Sequence, residues 1–151
     1  MGTGHDHDLD LDLERFVAAQ DAGGSYARTL GELRSGQKLS HWMWFVFPQI
    51  AGLGTSAMSR RYAITDLDEA RAYLEHPILG PRLVECARIV EDLDAGSADD
   101  IFGTMDAQKL RSSMTLFMRV GTAEPVFASV LERYFGARPD SATDELLQRR
   151  A

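Results

Sequence analysis

The chain has 151 residues, of which 44% are hydrophobic and 26% are charged, and its formal net charge is −7. This length corresponds to one domain, and the acidic balance argues against a general nucleic-acid-binding protein, which needs a basic surface. A single cysteine, no apolar run near the ~20 residues of a membrane helix and no signal-peptide pattern together predict a cytoplasmic protein without an internal disulfide or membrane association.

Residues 1–10, MGTGHDHDLD, are polar, acidic and glycine-containing, and we predict a flexible N-terminal tail there. The tail contains two His and three Asp residues, but adjacent ligands without a scaffold rarely fix a coordination geometry, so no metal site is predicted. A single helical domain is expected over residues 11–151.

Helical periodicity begins directly after this tail. Leu13, Phe16, Val17 and Gln20 fall at i, i+3, i+4 and i+7, which places them on one face of a first helix. Gly23 and Gly24 then interrupt the pattern. A second helix follows and is expected to end at Gly36.

Six further helices are predicted downstream, most of them from a capping residue or proline at the start and a glycine or proline at the end. Their expected starts are Asp66 (paired with Glu69), Pro81, Ser97, Thr104, Pro125 and Ser141 (paired with Asp144). No full-length alternating strand pattern is convincing. The sequence therefore predicts an all-α fold, a single compact domain of eight or nine short helices.

The aromatic run HWMWFVFPQ at residues 41–49 is the most unusual stretch of the chain. Aromatic residues and Val favour strands, but no second strand candidate lies nearby to pair with this one. Ser40 is a suitable helix cap and Pro48 prevents a helix from continuing. We therefore predict a buried helix of about two turns at the centre of the domain, with at least one Trp able to face a polar cavity.

Polar residues flank the aromatic run on both sides. Lys38 and His41 precede it, Gln49 follows it, and a Gly-rich loop then leads to Ser56 at a helix start. Backbone N–H groups at such a start attract anions, although the loop lacks the spacing of a dinucleotide or P-loop motif.

A second polar cluster is expected on the helix that begins near Thr104. Asp106, Lys109 and Ser113 share one stripe at i, i+3 and i+7, and Ser112 stands beside them. The stripe borders the apolar face of this helix. It is either a surface ion pair with two serines or part of a site for an anion or a sugar hydroxyl.

The segments KLSHWMWFVFPQIAGLGTS, HPILGPRL and IFGTMDAQKLRSSMTLF together closely resemble a family of small bacterial and fungal proteins, the domain of unknown function numbered eighteen-ten. Some members carry the label calpastatin, which we regard as a misnomer. The resemblance covers about residues 10–148. It implies a mainly helical single domain, and it implies no activity and no catalytic roles.

The first functional hypothesis is that the protein binds or processes a small anionic ligand, such as a nucleotide or sugar phosphate. Aromatic rings would stack on a base or sugar, lysine would bind phosphate, and amides and hydroxyls would orient the ligand. The expected ligand-binding residues are Gln20, Lys38, Trp44, Gln49, Ser56, Ser112 and Ser113. If a phosphate or glycosidic bond is transferred or hydrolysed, His41 or Asp106 is the candidate base and Lys109 the electrostatic stabiliser. No cofactor is predicted.

Two alternatives stay open on the sequence alone. An exposed aromatic patch over residues 42–47 would indicate a protein–protein interaction module without catalysis. In the other alternative, the polar residues named above, among them Gln20, Lys109 and Ser113, bond to internal partners in a buried network, and no cavity lies beside them. The helical pattern does not indicate an oligomeric state.

Overall fold

The computed structural model describes residues 2–94 and 96–150, with side chains from residue 12 onward. Its helices are α1 (Gly2–Asp21), α2 (Ser25–Ser35), α3 (Met43–Val46), α4 (Ala57–Arg61), α5 (Leu67–Glu75), α6 (Leu79–Asp92), α7 (Ala98–Phe102), α8 (Thr104–Met118), α9 (Val126–Phe135) and α10 (Ser141–Arg149), with a 3₁₀ turn at Ala22–Gly24. Within the described ranges, one parallel bridge between Ile50 and Ile64 is the only β pairing. The predicted all-α fold is confirmed.

The N-terminal prediction falls where no side chain is described. The backbone of α1 begins at Gly2, whereas the sequence pattern placed the start of the first helix near residue 11. The side chains of residues 1–10, including the His and Asp residues, lie outside the described part of the chain, so the flexible tail stays a prediction. None of the helices in the described part of the chain is both long and apolar enough to cross a bilayer.

Several helix ends follow directly from local sequence signals. Ser97 caps α7 in a complete capping box with Asp100, and the Asp66 carboxylate accepts from the Glu69 N–H at 2.9 Å at the start of α5. Gly36 and Gly136 take left-handed conformations that end α2 and α9.

Three predicted caps are wrong because a different residue is better placed. Thr104 is the first residue of α8, and the cap position belongs to Gly103 at φ +79°, ψ 160°, a conformation essentially restricted to glycine. The carboxylate of Asp140, and not Ser141, accepts from the Thr143 N–H at 3.0 Å to open α10. Ser40 caps no helix, because its hydroxyl donates to the Glu32 carboxylate.

The aromatic run lies in the core, but its helix is shorter than predicted. Helix α3 has one turn and follows Trp42, which provides no side-chain cap. Except for the half-buried Trp44, the side chains over residues 42–47 are buried. A contiguous series of ring contacts with centroids 5.2–5.8 Å apart links Phe45 to the far side of the core, through Tyr62, Phe16, Tyr73, Phe117 and Phe127.

Helix α8 passes through the middle of the domain. It packs against α5, α7, α9 and α10, and its residues 112–117 are all buried. A helix buried on nearly every side over this stretch is held rigidly by its neighbours. Its first turn, in contrast, reaches the surface at Met105, which is 77% exposed. Helix α8 thus connects the core to a surface groove.

The connection between α5 and α6 depends on a close backbone approach. A β-carbon at Gly80 would lie 2.0 Å from the carbonyl oxygen of Leu74. Because backbone atoms cannot yield as a flexible side chain does, only glycine fits this position without a shift of one helix.

Candidate functional site

A surface groove contains two adjoining cavities that share Trp44, Thr104, Met105 and Lys109 as walls. The first, here the lysine cavity, has a volume of about 530 Å³, and its other lining residues are Lys38, His41, Met43, Phe102, Gly103 and Asp106. The second, here the hydroxyl cavity, has a volume of about 620 Å³, and its other lining residues are Gln49, Leu53, Gly54, Thr55, Ser56, Ser59 and Gln108. Both volumes lie in the ~300–1,000 Å³ range of small-molecule sites.

An ion-pair cluster forms the charged wall of the lysine cavity. The Lys38 ammonium lies 2.8 Å from one Asp106 oxygen, and the Lys109 ammonium lies 3.4 Å from the other. Of the sixteen Lys and Arg residues in the chain, only these two are lysines. An acidic, arginine-rich protein therefore brings both of its lysines to one carboxylate in one groove.

The two lysines are not equivalent. The Lys38 side chain is only 7% exposed, its ammonium also donates to the carbonyl of Ser40, and it lies 5.2 Å from the Trp42 ring centroid. Lys109 is 17% exposed, makes the longer contact with Asp106 and lies 5.9 Å from the Trp44 ring centroid. Lys109 is therefore the cation more readily available to a ligand.

The segment that presents Lys38 and His41 is organised by Glu32, near the end of α2. One Glu32 oxygen accepts from the backbone N–H groups of Leu39 and Ser40 at 2.7 and 2.9 Å and from the Trp42 indole N–H at 2.9 Å. The other oxygen accepts from the Ser40 hydroxyl at 2.5 Å. The backbone N–H of Lys38 in turn donates to the backbone carbonyl of Ile101 at 2.8 Å. These bonds fix the chain between α2 and α3.

The same bonds determine the ionisation of Glu32. Burial alone would raise the pKa of this carboxyl, but the hydrogen bonds from Ser40, Leu39 and Trp42 outweigh it and lower the pKa to about 2. Glu32 is therefore a carboxylate throughout the physiological range, with its negative charge held by four donors.

The hydroxyl cavity is built on the loop between α3 and α4. The backbone of Gln49 accepts from the Ile64 N–H at 2.8 Å and so fixes the start of this loop. Ser56 caps α4 by accepting from the Ser59 N–H at 3.1 Å. A β-carbon at Gly54 would lie 2.6 Å from the Ser59 β-carbon, so this turn requires glycine. Among the described residues, the Gln49 amide makes no side-chain hydrogen bond and is free to meet a ligand.

The first turn of α8 lies where the two cavities meet. The first backbone bond there runs from the Ala107 N–H to the Gly103 carbonyl at 2.9 Å, so the amides of residues 104–106 precede the regular helical ladder. They carry the positive end of the helix dipole, which favours a negative charge in this part of the groove.

Seven of the ten residues predicted from the sequence line the groove: Lys38, His41, Trp44, Gln49, Ser56, Asp106 and Lys109. Their contribution to binding or catalysis stays a prediction. His41 is exposed and makes no side-chain hydrogen bond with any described residue, so its ring is accessible in the lysine cavity.

The remaining three predicted residues lie elsewhere. The Gln20 amide donates to the Phe45 carbonyl at 2.7 Å and to the Tyr73 hydroxyl at 3.2 Å, inside the core. Ser112 is buried beside the Asp140 carboxylate, 3.2 Å away. Ser113 is also buried, on the core side of α8, and among the described residues its hydroxyl oxygen is the buried side-chain polar atom that lacks a partner. None of the three lines either cavity.

Sequence reasoning missed Glu32 and the residues of the shared wall at Thr104 and Met105. The partners of Glu32 lie seven to ten residues further along the chain, so no helical spacing relates them to it. A buried Trp indole needs an acceptor, and this was the only available signal. Within the described residues, no cluster of three or more His, Cys, Asp or Glu side chains could hold a metal ion.

Comparisons with known proteins agree with this fold. A family model described as "Protein of unknown function (DUF1810)" matches residues 10–147. The crystal structure of the conserved hypothetical protein Rv1873 from Mycobacterium tuberculosis is similar, with a TM-score of 0.87 and 49% identity over 91% of this chain and 96% of that chain. None of the curated proteins matches the chain. The chain therefore belongs to the DUF1810 family, whose model covers nearly all of it.

Proposed function

We propose that the groove binds a small anionic ligand of the nucleotide or sugar-phosphate type. The observation that carries this proposal is the convergence of both lysines of the chain, beside a half-buried Trp44, at the first turn of α8. Ammonium groups and helix N–H groups favour a phosphate, and an indole face favours a base or a sugar ring.

The groove also offers neutral hydrogen-bonding groups. Gln49, Thr55 and Thr104 line it, and none of their side chains bonds to another described residue. Unpaired amides and hydroxyls around an apolar floor are the usual means by which a pocket orients a small ligand. Lysines on a surface without neighbouring amides and hydroxyls would bind anions nonspecifically.

Asp106 and His41 have different parts in this proposal. Both Asp106 oxygens face ammonium groups, so we assign this carboxylate to positioning Lys38 and Lys109. The accessible ring of His41 is the group suited to general acid–base catalysis if a bond is broken in the lysine cavity. The proposed function is binding, and turnover is a separate measurement.

The test is a thermal-shift and calorimetric titration with inorganic pyrophosphate, ADP, UDP and glucose 6-phosphate. A ligand present at 100 times its Kd stabilises the folded protein by about 2.7 kcal/mol, which raises the Tm of a domain of this size by roughly 5–10 °C. Lys109→Ala should abolish this response. The matched control is Arg28→Ala, which removes an exposed positive charge on α2 away from the groove.

Asp106→Asn gives a test of opposite sign. Removing the carboxylate releases both ammonium groups, so anion affinity should increase by several-fold while Lys109→Ala loses it. Equal loss in both variants, or no response of the wild-type protein to any of the four probes, would contradict the proposal.

The alternative, an interaction module, predicted an exposed aromatic patch over residues 42–47. Within that run the structure leaves only Trp44 partly exposed. Leu39 and Met105 are exposed apolar residues, at 70% and 77%, but single exposed side chains are common on protein surfaces. The burial of the aromatic run therefore favours the ligand groove over a flat protein-binding surface.

A further inference from the structure

We propose that the ligand carries its anionic group between two uncharged ends, as in a nucleoside diphosphate sugar or a dinucleotide joined by pyrophosphate. This inference rests on the proposed function, because it concerns the shape and charge of the ligand that the same groove selects. It follows from where the groove places its available positive charge.

The first step concerns the position of Lys109, whose contact with Asp106, at 3.4 Å, is longer than the 2.8 Å contact of Lys38. Lys109 lines both cavities, and among the residues whose side chains are described it is the only charged one in the wall of the hydroxyl cavity. In the lysine cavity, Lys38 and Asp106 lie 2.8 Å apart and neutralise one another. The positive charge available to a ligand therefore lies at the junction of the cavities, where the first turn of α8 also lies.

The second step concerns the ends of the groove. A terminal phosphate beside Thr55, Ser56 and Ser59, which line the hydroxyl cavity but not the lysine cavity, would meet hydroxyl groups, whereas the charged Lys109 lies in the shared wall. A terminal phosphate deep in the lysine cavity would approach the Lys38–Asp106 ion pair, whose opposite charges largely cancel, so it would gain less Coulomb energy there than beside Lys109. Uncharged groups are tolerated at both ends, since hydroxyls and a carboxylate all accept hydrogen bonds from a sugar or a base.

The third step concerns size. Each cavity alone, at about 530 or 620 Å³, has the volume of a site for one small molecule. The shared walls, with Trp44 and Met105 between the two cavities, make them adjoining halves of one groove. A mononucleotide would occupy one half and leave the other to water, whereas a molecule with two ends joined by pyrophosphate would occupy both.

The test is a calorimetric comparison of UDP with UDP-glucose and of ADP with ADP-glucose and NADH, beside inorganic pyrophosphate. At least one bridged compound should bind about tenfold or more tightly than its parent nucleoside diphosphate, although it carries less negative charge, because the second end adds contacts. Coulombic attraction alone predicts the opposite order.

Two alanine substitutions distinguish ligand contacts at the ends of the groove from contacts at the junction of the two cavities. Gln49→Ala in the hydroxyl cavity and His41→Ala in the lysine cavity should each weaken the bridged compound several-fold while leaving pyrophosphate affinity unchanged. Lys109→Ala should weaken both. The Gln49 and His41 side chains make no hydrogen bonds to other described residues, so these variants are expected to fold, which circular dichroism melts will verify.

The outcomes distinguish this inference from the function on which it rests. Binding of nucleoside diphosphates as tight as, or tighter than, that of every bridged compound overturns the two-ended ligand and leaves anion binding intact. An equal effect of the end variants on pyrophosphate also overturns it. Failure of all the probes, pyrophosphate included, overturns both proposals.

Discussion

Replacing Glu32 with glutamine should destabilise the protein in a strongly pH-dependent manner. The Glu32 carboxylate accepts from two backbone N–H groups, the Ser40 hydroxyl and the Trp42 indole. Glutamine has nearly the same size, but it carries no charge and presents an NH₂ group to some of these donors. The substitution therefore removes the acceptor that fixes the segment from Lys38 to Trp42.

The magnitude follows from the pKa of this carboxyl, which the fold lowers from 4.5 to about 2. At about 1.36 kcal/mol per pH unit, the difference corresponds to roughly 3 kcal/mol of stability. Because the folded-state pKa is depressed, this stability is present above pH 4.5 and is lost as the pH falls towards 2. For a domain of this length, the loss in Glu32→Gln at pH 7 lowers the Tm by about 6–12 °C.

The assay is urea unfolding of the wild-type and Glu32→Gln proteins at intervals from pH 7 to pH 2.5. Other carboxylates titrate in both proteins and cancel in the difference. We expect this difference in unfolding free energy to be largest near pH 7 and to shrink below pH 4.5. The matched control is Glu14→Gln on α1, which removes the charge of an exposed carboxylate that makes no side-chain hydrogen bond to any described residue.

A constant difference between wild type and Glu32→Gln across this pH range would refute the reasoning, because it would separate the stability of the segment from the charge of Glu32. A difference below about 0.5 kcal/mol at pH 7 would refute it equally, since changes of that size are typical of surface substitutions.

Three further substitutions test the packing of the domain by urea unfolding. Gly80→Ala should destabilise by at least about 1–3 kcal/mol because of its contact with the Leu74 carbonyl, whereas Gly31→Ala, with open space at its β-carbon, should be neutral or stabilising. Ser113→Ala should leave stability unchanged or slightly raised, since it removes a buried hydroxyl that has no partner among the described residues, and a loss above about 1 kcal/mol would indicate a missing bond. Asp140→Ala should cost at least about 2 kcal/mol, because it removes the α10 cap and unpairs buried donors, and a near-neutral result would contradict that role.

The elements that the sequence predicts well are those whose signals are local. Ser97 lies three residues before its partner Asp100, and Gly136 stands directly after the helix that it ends. Such bonds form within one turn, so the pattern of residue types contains both donor and acceptor. The buried face of α1, with Leu13, Phe16 and Val17, was likewise predicted from local periodicity.

The errors arise where a distant residue competes for the same group. Ser40 has the composition of a cap, but Glu32, eight residues earlier, takes its hydroxyl and leaves α3 with one turn. Gln20 resembled a ligand-binding residue because it interrupts an apolar face, and its partners are the Phe45 carbonyl and the Tyr73 hydroxyl across the core. Single-sequence periodicity contains no information about such long-range pairs.

The structure brings the flanks of the aromatic run and the Asp106–Lys109 stripe to one groove, and their role in a functional site stays a prediction. Both lay next to apolar faces, and the fold joins them because the Lys38 N–H bonds to the Ile101 carbonyl at the end of α7. The division of the groove into two cavities depends on the exact positions of Trp44 and Met105, which no sequence pattern specifies.

Because the chain has only two lysines, a lysine in the groove can be labelled selectively. Reagents that acylate primary amines meet only two side-chain targets in this chain, and one of them, Lys38, is 7% exposed with its ammonium already bonded. Of the two lysines, Lys109 should therefore be acylated first, and mass spectrometry of proteolytic peptides can follow this site separately from Lys38 and from the α-amino group. The label on Lys109 lies at the junction of the two cavities, so its protection from labelling directly measures occupancy of the groove.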